Sequence, residues 1–271
     1  MKVSVIMSAY NAQDTINKAI DSVLAQTHKD LELIIVNDSS TDDTDNIVKQ
    51  YSDERINYIK HDVNKGAGLA RRSGIHAATG DYIAFLDSDD YYAKECIEML
   101  VRATDNGIVD VVSPGAMIVS GDQIIKKAPT PIDTTEDVLV YDNSGMLHFL
   151  NIQLIRRSLF DNVEYSDRRF IEDSSTFVKI LHYAKNRKVI DYAGYYYVQR
   201  DNSLIHECST QKRFLYTMLC AKDVCEFYEQ VGTPDKFNFY HFLYKYLCMN
   251  EDLKYTKEDG GLYKDERQEL L

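Results

Sequence analysis

Apolar residues come in short blocks that end in polar clusters, and the blocks alternate with stretches of helical spacing. Val3 to Met7 is a β-branched run that gives way to Ser8, Tyr10 and Asn11; Ile16, Ala19, Ile20, Val23 and Leu24 then recur at the spacing of one helix face. Leu31 to Val36, broken only by Glu32, is a second run and ends in Asn37-Asp38-Ser39-Ser40-Thr41-Asp42-Asp43-Thr44. These polar residues suit the cap of a helix carrying Ile47, Val48 and Tyr51, as Asp14 or Thr15 suits the cap of the first helix. A third run, Ile56 to Ile59, leads through His61-Asp62-Val63-Asn64-Lys65-Gly66-Ala67-Gly68 into a helix whose face is small: Leu69, Ala70, Ser73, Gly74, Ala77 and Ala78, with Arg71-Arg72 near its start. Tyr82 to Leu86 is a fourth run, and it stops at Asp87-Ser88-Asp89-Asp90.

Strands buried on both faces read as continuous apolar runs, and their alternation with helices predicts an α/β fold around a doubly wound, mostly parallel sheet. In such sheets ligands bind beyond the carboxyl ends of the strands, which is where each polar cluster falls. Further on, Ala93 to Asn106 reads as a helix stopped by Gly107, and Val109 to Ser113 as a strand. Residues 115 to 142 alternate weakly around a hairpin signal at Gly121-Asp122, and Gly145 to Arg157 is a strand or helix edge. Glu172-Asp173 heads a helix with Phe177, Val178 and Leu181 inward, and Val189 to Val198 is a Tyr-rich strand. From Gln211 onward, apolar positions fit two helices on either side of Gly232-Thr233-Pro234.

Composition narrows the class. The 271 residues carry 31 basic and 43 acidic side chains, a formal charge of −12, which argues against broad binding to nucleic acid. Five cysteines without a C-x-x-C pair indicate neither a zinc site nor a disulfide framework and fit reduced thiols. The apolar run at Val3 is too short for a signal peptide, and no run approaches the roughly 18 residues of a spanning helix, so a cytoplasmic chain is expected. Gly66-Ala67-Gly68 is not a dinucleotide fingerprint, because Arg71 stands where the third glycine belongs, and no G-x-x-x-x-G-K-[ST] loop occurs.

Three carboxylates at Asp87, Asp89 and Asp90 repel one another unless solvated, hydrogen-bonded or neutralised by a cation. The residues alone leave two readings open: a hard divalent metal site, or an acidic turn that caps the next helix.

Four segments taken together resolve the class. Ser4 to Asn11, Ile35 to Asp42, Asn64-Lys65-Gly66 through Gly74, and Gly80 to Asp90, each after a predicted strand, resemble the inverting family 2 glycosyltransferases of the GT-A fold. The resemblance implies a GT-A domain over residues 1–205, with a nucleotide-sugar half at 1–110 and an acceptor-side half at 111–205, before a helical C-terminal extension at 206–271. It implies a nucleoside held by Ala9, Tyr10 and Asp38, with Asp38 accepting from the base; a carboxylate is acceptor-only and so prefers an imino proton such as that of uracil. It places Lys65 and Arg71 toward the donor phosphates, Asp87 and Ser88 beside the nucleotide, and Asp89 on Mn²⁺ or Mg²⁺. Asp173 is implied as general base, with Glu172, Arg200 and His206 as acceptor or lid residues. Each assignment has a plainer counterpart: Asp38 as a helix cap, Arg71 as a solvated helix residue, and Glu172-Asp173 as acids favouring a helix N-terminus.

The implied partners are a nucleotide sugar, UDP-linked, and a glycan or lipid-linked acceptor, with peripheral contact at the inner face of a membrane. Two positions depart from the family pattern: the usual proline of the first strand motif is replaced around Ser8-Ala9, and Val198 stands where arginine is frequent. The rival enzyme class on this fold is a nucleotidyltransferase, which would carry a glycine-rich basic loop that Ser8 to Gln13 lacks. Sugar or nucleotide binding without turnover is the non-catalytic alternative.

Overall fold

In the computed structural model, which describes residues 1–121, 123–127, 150–166, 172–199 and 210–233, the four N-terminal apolar runs are the strands β1 (Val3–Ala9), β2 (Leu31–Asn37), β3 (Ile56–Lys60) and β4 (Tyr82–Phe85). The helices between them are α1 (Ile16–Leu24), α2 (Thr44–Lys49) and α3 (Ala67–Ala77). The strands lie parallel in the order β3-β2-β1-β4, with Val3 in register with both Leu31 and Tyr82. β1, β2 and β4 are buried on both faces, which is why their sequences show no alternation.

The pleat sends successive side chains to opposite faces and so makes two cores. Val3, Val5, Met7 and Leu33 pack with Ile16, Ile20 and Val23 of α1 on one side. Ile6, Ile34, Val36, Ile83 and Phe85 pack with Ala70 of α3 on the other. The small face of α3 has a steric cause: a Cβ on Gly74 would lie 2.4 Å from Cγ2 of Ile6, so the helix sits closer to β1 than any larger residue permits.

Beyond β4 come β5 (Tyr91–Tyr92), α4 (Cys96–Ala103), β6 (Val111–Ser120), β7 (Gln123–Lys127), β8 (Leu154–Arg156), α5 (Glu172–Tyr183) and β9 (Arg187–Gln199). The sheet continues β4-β8-β6-β9-β5, with β7 on β6. Here it is mixed: β8 runs antiparallel to both β4 and β6, whereas β6 and β9 are parallel. The hairpin expected at Gly121 is present, with Ser120 opposite Gln123 and Gly121 at φ 58°.

Some expectations need revision. β6 does not end at Ser113 but runs on through Pro114-Gly115, where its register against β9 shifts, a bulge that accommodates the missing proline N–H. Neither α1 nor α2 has a side-chain cap on its own N-cap residue. Instead the Ile16 amide bonds Ala12 O at 2.9 Å, and Asp42 takes the Thr44 amide at 3.0 Å. The acidic turn does not cap α4 either, because β5 intervenes.

Residues Met1–Gln199 form one compact unit and Arg200–Leu271 another. Of the second, the described part holds α6 (Thr210–Gln230), which matches the first of the two expected C-terminal helices; the second falls outside the described residues. Among the described residues no helix is long and apolar enough to cross a membrane.

Candidate active site

The loops after β1 and β2 are stitched to each other. Asp38 N donates to Ala9 O at 2.8 Å, Asn11 N to Ser40 Oγ at 3.0 Å, Thr41 N to Asn11 Oδ1 at 2.8 Å, and Ala12 N to Thr44 Oγ1 at 2.8 Å. Asn11 and Ser39 adopt left-handed backbone, at φ 49° and 62°, a cost that such cross-ties sustain and that concentrates at functional loops. Ala9 is buried at the end of β1, and the adjacent Tyr10 is 50% exposed.

Asp38 is 2% exposed, and its carboxylate is already well supplied with donors. Lys65 N lies 2.9 Å from Oδ1, Gly66 N 2.7 Å from Oδ2, and His61 Nδ1 2.7 Å from Oδ1. Because a carboxylate only accepts, His61 carries a proton on Nδ1, and its Nε2 lies 2.9 Å from Ser73 Oγ. Asp38 therefore gathers the end of β3, the start of α3 and the edge of β2 at one point. Gly66 turns the chain into α3 at φ 91°, where a side chain would be strained. The Lys65 side chain is exposed beside it.

Arg71 is buried and reaches two carboxylates at once. Its two terminal nitrogens lie 2.7 Å from Glu172 Oε1 and 2.7 Å from Asp87 Oδ1, and Tyr165 Oη is 3.4 Å away. Where the resemblance implies a phosphate contact, the structure thus gives a bridge between the end of β4 and the head of α5. The other oxygen of Asp87 accepts from Asn151 Nδ2, in a 3-10 turn at Leu150–Ile152.

Carboxylate oxygens of Asp87, Asp89 and Asp90 lie within 4.8 Å of one another. Asp90 turns inward, accepting from the Tyr195 hydroxyl and, at 2.8 Å, from Val198 N. Burial, then the charges of Asp89 and Asp87, push its pKa well above the carboxylate range. Asp87 has both oxygens engaged, and Asp89, like Asp87, is half-buried in the turn. This donor set suits Mg²⁺ or Mn²⁺, hard ions that bind through one or two carboxylates and complete their shells with water and phosphate. Ser88 is half-buried in the same turn.

Glu172 and Asp173 form the first turn of α5. Burial raises Glu172 to about 7 in spite of Arg71, and it raises Asp173 as well, against the pull of Arg71 and of the Ser174 amide 2.8 Å from Oδ1. Asp173 as a residue retains partial exposure, and its carboxylate is one of heightened basicity. Arg200 and His206 lie outside the described residues.

Sequence reasoning passed over His61, Asn151, Tyr165 and Tyr195. His61 sits just past β3, and the rule that polar residues at strand ends carry function would have found it. No motif marks Asn151, Tyr165 or Tyr195, whose positions depend on tertiary contacts.

Comparison with known proteins agrees with this geometry. Residues 4–164 match the family described as Glycosyl transferase family 2. "Uncharacterized glycosyltransferase EpsJ" of Bacillus subtilis (strain 168) is 33% identical over 215 residues, 74% of this chain and 62% of that protein. "UDP-Glc:alpha-D-GlcNAc-diphosphoundecaprenol beta-1,3-glucosyltransferase WfaP" of Escherichia coli is 52% identical over 90 residues, 33% of this chain and 36% of that protein. The chain therefore spans less than two thirds of the length of these two relatives. The crystal structure of S. aureus TarS 1-349 in complex with UDP superimposes with a TM-score of 0.71 at 21% identity, covering 100% of this chain and 78% of that one. The fold is that of the GT-A glycosyltransferases, and the chain belongs to glycosyl transferase family 2.

Proposed function

We propose that this glycosyltransferase moves one sugar from a UDP-linked donor to a hydroxyl of a glycan or lipid-linked acceptor, with inversion at the anomeric carbon. The observation that carries the reading is the Arg71 bridge: a single guanidinium joins Asp87 of the metal turn to Glu172, the immediate neighbour of Asp173. This supports placing donor and acceptor chemistry at one locus.

Tyr10, Ala9 and Asp38 receive the nucleoside, Asp38 from a backbone already fixed by His61 and the amides of residues 65 and 66. Lys65 faces the phosphates, and Asp87 and Ser88 the ribose side. Asp89 would hold Mn²⁺ or Mg²⁺, which when bound would supply positive charge to offset that of a departing diphosphate. Asp173 takes the proton of the acceptor hydroxyl as that oxygen bonds to the anomeric carbon; the bond from this carbon to the diphosphate oxygen breaks, and its electron pair leaves with the nucleotide. The raised pKa of Asp173 suits a base working near neutrality. The glucosyl transfer from UDP-Glc to a diphosphoundecaprenol-linked sugar for which WfaP is named supports UDP and a lipid-linked acceptor for this chain, and with it work at the cytoplasmic face of a membrane.

Calorimetric titration with UDP, GDP, CDP and dTDP, each with and without Mn²⁺, tests the donor site, and a panel of nucleotide sugars assayed for hydrolysis identifies the sugar. Mn²⁺-strengthened binding of UDP is expected; no binding of any nucleotide would sink the reading.

A further inference from the structure

Asn151 is 8% exposed, and only half of its side-chain amide is used. Nδ2 donates to Asp87 Oδ2, while Oδ1 is buried without a hydrogen-bond partner among the described residues. Rotating the amide would not relieve this, because it would set Oδ1 against the Asp87 carboxylate, acceptor against acceptor. Asp87 thus locks the amide in one orientation, and the turn retains an unsatisfied carbonyl that an apolar side chain of similar shape would remove.

The fold does not require this arrangement for the sake of Asp87. The Asp87 side chain is 29% exposed, so water can serve Oδ2 if the amide is lost. What Asn151 adds is direction. With Arg71 on Oδ1 and Asn151 on Oδ2, the carboxylate plane is held between α3 and the 3-10 turn, and neither oxygen is left to rotate.

On the donor-site reading above, we propose that Asn151 is a positioning residue for the donor: it fixes the Asp87 carboxylate in the orientation that nucleotide binding requires, and the fold carries the buried carbonyl as the consequence. A merely structural asparagine would stabilise the fold; this one favours binding over stability, and the two can be measured separately.

The test uses the full chain and two variants, Asn151→Leu and Asn151→Ala, with UDP affinity measured by calorimetry in Mn²⁺ and the thermal midpoint measured without ligand. Both variants should bind UDP about tenfold more weakly than the parent, and the Asn151→Leu midpoint should equal or exceed the parent's. Asn151→Ala introduces no bulk, so an equal loss there traces the effect to the amide, and it decides the question alone if the leucine variant does not fold. UDP affinity within about twofold of the parent, or an Asn151→Leu midpoint that falls with the affinity, would overturn the role. A parent that binds no nucleoside diphosphate overturns the donor-site reading and this role with it; a parent that binds, beside variants that bind equally well, overturns the role of Asn151 alone.

Discussion

Arg71 and Glu172 meet at 2.7 Å with each side chain 9% exposed, and they do so from elements 101 residues apart in sequence. The pair is not a surface ornament. A guanidinium withdrawn from water is sustained by its carboxylates, and the carboxylates by it. Replacing Arg71 with alanine leaves Glu172 buried and unpaired, a change that costs about 3–5 kcal/mol. Arg71→Lys should be nearly as harmful, because one ammonium cannot span two carboxylates in the planar manner of a guanidinium. Urea unfolding of both variants measures the loss, and Glu172→Gln, which removes the orphaned charge, should restore part of the stability of Arg71→Ala.

The same pair sets a pH dependence. Glu172 is raised from 4.5 to about 7, so the folded state binds the proton more tightly than the unfolded chain does. A raised carboxyl contributes stability that is fully present below its unfolded pKa and is lost as pH climbs through the folded value. Asp173 and Asp90 are raised too and act in the same direction. Glu32, held by Lys2, Ser4 and Thr79, is lowered from 4.5 to about 2 against its own burial, and its stabilisation is lost as pH falls toward that value. Ligand-free stability should therefore peak near pH 5 and decline toward pH 7, by the linkage just stated. Denaturant midpoints across this range should show the decline in the parent and a shallower slope in Glu172→Gln.

Asp173→Asn removes the proposed base while preserving shape and the Ser174 contact. Turnover should fall by about 10²–10⁴, with UDP affinity nearly unchanged, since the acceptor side is where the proton leaves. Single-turnover kinetics with calorimetry separates the two effects. Preserved turnover would move the role to another residue.

Much of this was visible in the order of residues. Continuous apolar runs reported strands buried on both faces, and each polar cluster at a strand end came to lie on one edge of the sheet, because parallel crossovers return every strand in the same direction. Asp38 and Asp87 could be picked out for that reason, whereas Arg71 and Glu172 stand out through the family resemblance. Their partners could not. That Arg71 faces two carboxylates depends on how α5 docks 101 residues later, and Asn151 has no local pattern at all. At α1 neither Asp14 nor Thr15 caps the helix with its side chain, and at α2 the cap comes from Asp42 on the Thr44 amide while Thr44 ties the loop to Ala12. β6 extends past Ser113 because a bulge at Pro114-Gly115 lets the proline stay within the strand, a feature the apolar run does not report.

Gly74 is a packing prediction free of catalytic complication. A Cβ there meets Cγ2 of Ile6 at 2.4 Å in a fully buried site, so Gly74→Ala should cost about 1–3 kcal/mol through overpacking. Ile6→Leu moves the branch away from Cβ and vacates that contact. In a double-mutant cycle the pair should therefore couple favourably, the double variant being more stable than the sum of the single changes; strict additivity would show that α3 shifts instead.

Asp38→Asn distinguishes a carboxylate that merely fits from one that organises its loop. An amide offers one acceptor where Asp38 has two, and its NH₂ group would face N–H donors at residue 65, residue 66 or His61. Loss of about 1–3 kcal/mol is expected, together with weakened UDP binding. His61→Ala, which removes only one of the donors, should be milder in binding. Equal stability of parent and Asp38→Asn would show that the loop is held by other contacts.

Asp89 and Asp90 are neighbours with opposite expectations. Asp90 is buried against β9, and its pKa already lies well above the usual range, so a neutral side chain is close to its resting state. In Asp90→Asn the carbonyl can accept from Val198 N, and the NH₂ can donate to the Tyr195 oxygen once that hydroxyl rotates, at the modest cost of the acceptor its own proton had in Asp90. Folding stability and Mn²⁺-dependent UDP binding should both survive. Asp89 is half-buried rather than buried, and Asp89→Asn removes the charge on which cation binding is proposed to rest. UDP titrations with and without Mn²⁺ should then become superimposable for Asp89→Asn while remaining distinct for Asp90→Asn; the reverse pattern would place the ion on the inner carboxylate.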